Sequence, residues 1–463
     1  MRITNVAIGL LAASALGTAA WLGRPAVSQE TESIGALAAR AAQLERDIAR
    51  LEDVNAIKRL QRIYGFYTDK QLWSEAADLF SEDGTIEVGG RGVYVGPKRI
   101  REFLSLFGPE TPQPKRLFDQ MQLQPVIHVA PDGLTANGRW HVFAQEAVHG
   151  EYANWGLGVL ENEYVKENGV WKIRRHHFYT TMYTPYEAGW GKEAIPNEGP
   201  SADLPPDRPP TVVYEAYPKS FVVPFHYDNP VTAPRPRAGV EVAAGTATLE
   251  SLEAQLDALE ERVVRLEDVT QLERLNSIYG YYLAHLQWDD LTGIFSPTGT
   301  IEIAMRGVYI GAASVRRNLN LYGQATDDQF GLQHNHMQFQ PVITLAPDGQ
   351  SARMRSRALS IMGQWERYSQ WMGGVYENTY VKEDGVWKIK TDQVFNTYFV
   401  PYTVGFKDVQ PRPPPGITPS NPPDAPPTMP FEMYPSAFLP PFHYEHPVTG
   451  RRVEWTPPAA PAE

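Results

Sequence analysis

Side chains able to move protons fall into two separate clusters in this chain, and the two clusters differ in kind. One is acidic: Asp69 closes the stretch RIYGFYTD, and Glu146 lies in FAQEAVHG with His149 close behind. Two carboxyls held together in a dry site repel each other's charge, so that one stays protonated as an acid while the other ionises as a base. The other cluster is built on imidazole: LQHNHMQFQP holds His334, Asn335 and His336, and VYENTY holds Tyr376 and Asn378. Residues two apart on a strand share a face. A His/Tyr/Asn set on one face can take a proton and stabilise the enolate or phenolate left behind. The HNH spacing would also offer two imidazoles to a metal, but a third ligand is not evident locally and no metal is expected.

The elements that must position these groups are written twice. Residues 51–96 and 266–311 align without a gap and are identical at nearly half of their positions. The register continues through QPVIHVAPDG and QPVITLAPDG, ENEYVKENGVWKI and ENTYVKEDGVWKI, and PFHYDNPVT and PFHYEHPVT. A unit of this length is a whole domain with a tail, too long for a solenoid repeat. Each copy opens on a heptad stretch, residues 32–55 and 247–270, where Ile34, Leu37, Ala41, Leu44, Ile48 and Leu51 match Leu249, Leu252, Leu256, Leu259, Val263 and Leu266. These helices want a partner seam, supplied either by pairing within the chain or by a homodimer. Helical patterns continue into RLQRIYGFY, WSEAADLF and PKRIREFLSLF. Strand patterns then alternate around Pro-Asp-Gly and Asn-Gly or Asp-Gly turns, whose residues tolerate positive φ. The pattern is α+β in each copy: three helices, then a curved antiparallel sheet, over residues 56–184 and 271–400. Proline-rich arms follow at 185–240 and 401–463. Proline density excludes regular helix there, and the repeated aromatic tail is expected to dock across a cone mouth or on the neighbouring unit, unless it only covers a sheet face.

The order YGxY, Trp, LF or IF, GTIE, QPVI, PDG, ENxY, GVWKI resembles the SnoaL-like branch of the nuclear transport factor 2-like (NTF2-like) superfamily, over Ala56 to Thr181 and Gln271 to Thr397. That resemblance implies two tandem cone-shaped domains of the kind shared by scytalone dehydratase, ketosteroid isomerase and polyketide cyclases. It places Asp69 at the dehydratase aspartate, with Tyr64 or Tyr67 as the displaced tyrosine, Glu146 near the second histidine, and His336 at the catalytic histidine. In the first copy Gln120 stands where that histidine would be, beside Asp119; in the second, Ala284 replaces the aspartate next to His285, and Met362 replaces Glu146. A cone lined by aromatic rings suits a planar, largely apolar ligand, with Tyr67, Trp155, Trp371, Tyr376, Asn378 and Asn335 as the expected binding residues. The expected catalytic groups are His336, His334, Asp69 and Glu146, with Tyr64, Tyr279 or Tyr282 as acid.

Composition narrows the classes further. The chain has 463 residues, a formal charge of −12 and no cysteine. A thiol nucleophile, disulfides and cysteine-bound metal are excluded, and no basic block fits a phosphate backbone, so nucleic acid is not an expected partner. No phosphate-cradling loop, nucleophile elbow or dinucleotide fingerprint occurs, and a cofactor-free reaction is expected. Residues 1–28, with Arg2, an apolar run from Val6 to Leu22 and small residues at Ala26 and Ser28, read as a signal peptide for export to a periplasm, an uncleaved anchor being the alternative. The expectation is an exported lyase that removes water or formaldehyde from an aromatic compound, as the γ-formaldehyde lyases of lignin-dimer catabolism do. A non-catalytic periplasmic binder of a hydrophobic ligand and a ketosteroid-type isomerase or cyclase stand beside it.

Overall fold

The computed structural model describes residues 34–232, 248–324 and 330–455; the expected signal peptide lies outside them. No helix among the described residues is long and apolar enough to cross a membrane. In the first unit α1 (Ile34–Asp69), α2 (Trp73–Ala77) and α3 (Pro97–Leu104) accompany six strands: β1 (Phe80–Val88), β2 (Val93–Val95), β3 (Arg116–Val129), β4 (Thr135–Val148), β5 (Tyr152–Glu167) and β6 (Val170–Pro185). The second unit repeats them as α4 (Leu249–Ala284), α5 (Trp288–Gly293), β7 (Phe295–Ile303), β8 (Tyr309–Ile310), α6 (Ala312–Leu319), β9 (Leu332–Leu345), β10 (Ser351–Gln364), β11 (Tyr368–Glu383) and β12 (Val386–Pro401), followed by a short α7 (Gly405–Asp408).

Each heptad stretch and the first helix of its domain form one continuous helix of 36 residues. Thr248 and Ser251 cap the start of α4 reciprocally. A buried carboxylate pins each long helix to its own sheet: Asp53 accepts Trp171 Nε1–H and pairs with Lys166, and Asp268 does the same with Trp387 and Lys382. The sheet order is β2-β1-β6-β5-β4-β3 in the first unit and β8-β7-β12-β11-β10-β9 in the second. The sheets are mixed, because β1 runs parallel to β6, and β7 to β12; the remaining pairs are antiparallel as the turns predicted. The returning strand β6 reaches β1 only after three long hairpin strands, so no local turn announces that pairing.

The two units meet through the outer faces of their sheets and through α1 against α4. Arg262 grips Glu52 with two bonds of 2.9 and 2.7 Å, and Arg62 meets Glu273 at 2.7 Å. Trp155 and Trp371 hold the same position in the two copies, and their rings meet at 5.4 Å; Tyr186 and Tyr402 do likewise at 6.1 Å. Contact between equivalent residues is the mark of a two-fold relation, here within one chain.

The arms have different destinations. In both, the histidine of PFHY bonds a glutamate on its own sheet, His226 with Glu161 and His443 with Glu377, each at 2.8 Å, while an arginine stacks on the preceding phenylalanine. Beyond that latch the second arm crosses to the first unit. Phe442 and His446 pack on Tyr67 at 5.5 and 5.6 Å, Tyr444 joins the first unit's core, and Arg451 reaches Asp78. From residue 195 to 232 the first arm lies on its own unit, tied by Asp207 to Arg99 and by Thr211 to Glu87.

Candidate active site

A cavity of about 480 Å³ opens into the first unit, walled by the β1–β2 turn, the start of β3, the ends of β4 and β6, and residues 195–198 of the first arm. An inner recess of about 70 Å³ continues from it, lined by Tyr64, Phe103, Gln120 and His176. Glu146, Tyr183, Phe107, Phe118 and Phe178 line both spaces, so Glu146 stands at the waist between an outer mouth and an aromatic interior.

Glu146 ends β4 with its side chain on the concave face. Its Oε1 accepts Tyr183 Oη–H at 2.8 Å and Gln120 Nε2–H at 2.7 Å. Burial pushes its pKa up, and these two hydrogen bonds, which favour the charged form, offset only part of that rise. The Tyr183 hydroxyl is held well above its ordinary pKa by burial and by Glu146 beside it. Deeper in, His176 lies 4.7 Å from the ring of Tyr64, and burial, with His177 next to it, depresses its pKa to about 3, so it is neutral at pH 7. At the mouth Arg91 pairs with Glu198 of the arm at 2.5 Å, and Arg116 lines the wall.

The second unit holds a different set. His336 Nε2 accepts from Tyr376 Oη at 2.9 Å and from Gln338 Nε2 at 3.1 Å, which leaves the ring proton on Nδ1, 2.6 Å from Ser360 Oγ. Burial lowers the His336 pKa to about 3. Tyr279 Oη donates to Asp392 Oδ2 at 2.8 Å, and burial raises that carboxyl to about 7. His334 donates from Nδ1 to Leu283 O at 3.1 Å and stacks on Tyr322 at 6.1 Å. Among the described residues no three His, Asp or Glu side chains come together as metal ligands.

The structure therefore brings His334, His336, Tyr279 and Tyr376 together in the second cone, and Glu146 and Tyr64 onto the connected spaces of the first. Other expected residues lie elsewhere. Asp69 faces the second unit, where it pairs with Arg357 and accepts Gln120 N–H at 2.6 Å. Tyr67 is covered by the second arm. Trp155 follows the cavity residue Asn154 on β5 and so points to the opposite, outer face, where it meets Trp371. Asn335, between the two histidines, is exposed on the outer face for the same reason. Asn378 spends its Oδ1 on Gln393 N–H, and Tyr282 packs against the second core. Tyr183, His176, Ser360 and Asp392 were not singled out by spacing. The signal available was the strands themselves: inward residues of β6 and β12 face Glu146 and Tyr279, and Ser360 on β10 lies opposite His336.

The mouths of the cones differ at one equivalent position. Gly90, between the cavity residues Gly89 and Arg91, carries no side chain, whereas Met305 at the equivalent place in the second unit packs against the core. A Cβ on Gly90 would come within 3.2 Å of Glu198 O. Gly90→Met is expected to weaken binding of the apolar probe anilinonaphthalenesulfonate about tenfold or more with an unchanged circular dichroism spectrum, since even one methylene of misfit in an apolar pocket is worth about 1–3 kcal/mol. Unchanged affinity would place the entrance elsewhere.

The sequence profile described as SnoaL-like domain matches residues 49–177 and 264–391. Among solved structures, a candidate scytalone dehydratase of Novosphingobium aromaticivorans is 23% identical, covering 33% of this chain and 95% of its own, with a TM-score of 0.28. A hexachlorocyclohexane dehydrochlorinase, LinA-type3 of Novosphingobium barchaimii, is 19% identical over 32% of this chain and 99% of its own, with a TM-score of 0.27. ActVI-ORFA of Streptomyces coelicolor is 14% identical over 28% and 96%, with a TM-score of 0.25.

Proposed function

We propose that this chain, which belongs to the SnoaL-like family through both of its units, is a cofactor-independent lyase whose reacting groups sit in the first unit. The observation that carries the reading is a buried carboxyl, Glu146, at the waist of a 480 Å³ cavity, hydrogen-bonded through Oε1 to a tyrosine and a glutamine. A carboxyl whose pKa is raised by burial is, in its ionised form, a stronger base than an exposed one. Phe107, Phe118 and Phe178 offer ring faces to a planar aromatic substrate. Arg91 and Arg116 at the mouth suit its oxygenated or anionic end.

The substrate class we favour is a lignin-derived dimer carrying a primary alcohol. Glu146 takes the hydroxyl proton, and the carbon–carbon bond beyond it breaks to release formaldehyde. The electron pair forms the new carbon–carbon double bond and expels the oxygen on the adjacent benzylic carbon, the aryl-ether oxygen of a phenylcoumaran or the hydroxyl of a β-aryl ether, which takes back the proton from Glu146. No oxidant is consumed. Tyr64, kept protonated by burial, donates a hydrogen bond to the oxygens as charge moves through them, while the Tyr183 hydroxyl, also kept protonated, holds Glu146 in place. Dehydration would use the same carboxyl with water as the leaving piece. We place the protein in the periplasm, reached through residues 1–28; N-terminal sequencing of the mature protein from a periplasmic extract checks this.

A second reading has its own observation, the His336–Tyr376 and Tyr279–Asp392 pairs in the other cone, which suit enolate stabilisation in an isomerase. One experiment separates the possibilities. Purified protein incubated with phenylcoumaran or β-aryl ether dimers is expected to release formaldehyde stoichiometrically with loss of the dimer, and Glu146→Gln is expected to stop it while His336→Ala does not. Loss in His336→Ala alone would move the reaction to the second unit, and dimer binding without product would make the protein a ligand carrier.

A further inference from the structure

We propose that Arg357, carried by the second unit, is a positioning residue of the first unit's site: it clamps Asp69 and Asp119 and through them sets Gln120, the residue that hydrogen-bonds Glu146. The proposal rests on the reading of Glu146 as the reacting group, but its observations are separate.

Arg357 lies on the outer face of β10 with only 5% of its side chain exposed. Its Nη2 contacts Asp69 Oδ2, and its Nη1 lies 3.0 Å from Asp119 Oδ1. Both carboxylates bear on one point of β3. Asp119 directly precedes Gln120, and Asp69 Oδ1 accepts the Gln120 backbone N–H at 2.6 Å. Because successive strand residues face opposite ways, a restraint on the outer face at Asp119 is carried by one peptide step to the inner face at Gln120. There Gln120 Nε2 donates to Glu146 Oε1 at 2.7 Å. Phe66 lies beside the guanidinium at 5.4 Å, so the cation is held by a ring as well as by its charges.

The duplication supplies the control. The position equivalent to Asp69 is Ala284, and the position equivalent to Arg357 is His141, so the mirror-image clamp cannot form. The unit that receives the cation is the unit that carries Glu146; the unit that provides it has Met362 there. A two-fold interface holding units together for stability alone has no reason to be one-sided at this point.

The test reads Glu146 itself and needs no turnover. Infrared titration of the full chain, with Glu146→Gln subtracted to assign the carboxyl band, follows the one group. The groups that face it are Gln120 from β3, Tyr183 from β6, Tyr152 from the start of β5, Arg91 from the β1–β2 turn and Glu198 from the arm, with Arg116 on the same cavity wall. The Gln120 bond favours the ionised form, so Arg357→Met is expected to move the Glu146 midpoint up by about one pH unit. Arg357→Lys, which keeps the charge, is expected to recover most of that change. Arg62→Met, which breaks the Arg62–Glu273 pair at the same interface, is expected to leave the midpoint where it is. Gln120→Leu should reproduce the Arg357→Met effect, and in that background Arg357→Met should add nothing. An unmoved midpoint in folded Arg357→Met, an equal shift in Arg62→Met, or additivity of Gln120→Leu and Arg357→Met would overturn the proposal. Absence of lyase turnover would not touch it. Should Arg357→Met fail to fold, Arg357→Gln, which also removes the charge but keeps a polar end, is read in its place with the same expected shift.

Discussion

Glu146→Gln is expected to cut the rate of dimer cleavage by about 10²–10⁴-fold, the usual contribution of a positioned proton-transfer group. The amide keeps the size of the side chain and an oxygen that can accept from Tyr183 and Gln120, so affinity for the dimer should change by no more than a few-fold. A fall in the chemical step with binding retained is the pattern of a group used in the transition state. The pH profile carries a second signature. Because burial raises the Glu146 pKa and the reaction needs its ionised form, kcat/KM should fall as pH drops through a value above the ordinary carboxylate range. An acid limb at the ordinary value, or a Glu146→Gln enzyme as fast as the native one, would remove Glu146 from the mechanism.

Asp392→Asn is expected to stabilise the protein at alkaline pH and to leave it almost unchanged under acid conditions. The folded-state pKa of about 7 lies far above the unfolded reference of 3.8. The folded chain thus holds the proton more tightly than the unfolded chain does. That contribution is fully present below the unfolded value, is lost as pH rises from about 4 to about 7, and is absent beyond it. Three pH units of difference correspond to roughly 4 kcal/mol. Urea titrations from pH 4 to pH 9 should therefore show the two proteins diverging over that window and then running parallel. Tyr279 Oη–H keeps an acceptor in the asparagine carbonyl. A difference independent of pH would mean that Asp392 is ionised throughout.

Much of the fold was legible in the chain. The repeated YGxY, Trp, GTIE and GVWKI segments became the long helix, the short helix, β1 or β7, and β6 or β12 in each copy, because their turns and periodicity are local properties. Trp73 and Trp288 show how literal the repeat is: each is fully buried and donates Nε1–H to a glycine carbonyl, Gly108 or Gly323, at 2.9 Å. Less of the site was legible. Glu146 and His336 were visible as acid–base side chains in strands, and both face inward. Asp69 looked equally suited, yet its carboxyl is spent on the neighbouring unit. Arg357, which takes it, gave no sign of a role, since its partners lie nearly 240 and 290 positions earlier in the chain.

By itself the sequence determined that two domains of one shape follow each other and that their contents differ: Asp69 and Glu146 in one, His334 and His336 in the other. A two-residue period states which strand residues share a face, and local turns state which strands pair. Neither states which face is concave. That was decided when the helices packed on one side of each sheet and the other unit covered the opposite side, which put Asn154 in the cavity and its neighbour Trp155 at the interface. Tertiary structure also broke the equality of the copies, because a two-fold contact between unequal sequences pairs each residue with a different partner on its two sides. The second unit's Arg357 thereby stands behind the first unit's Glu146, while no counterpart stands behind Met362.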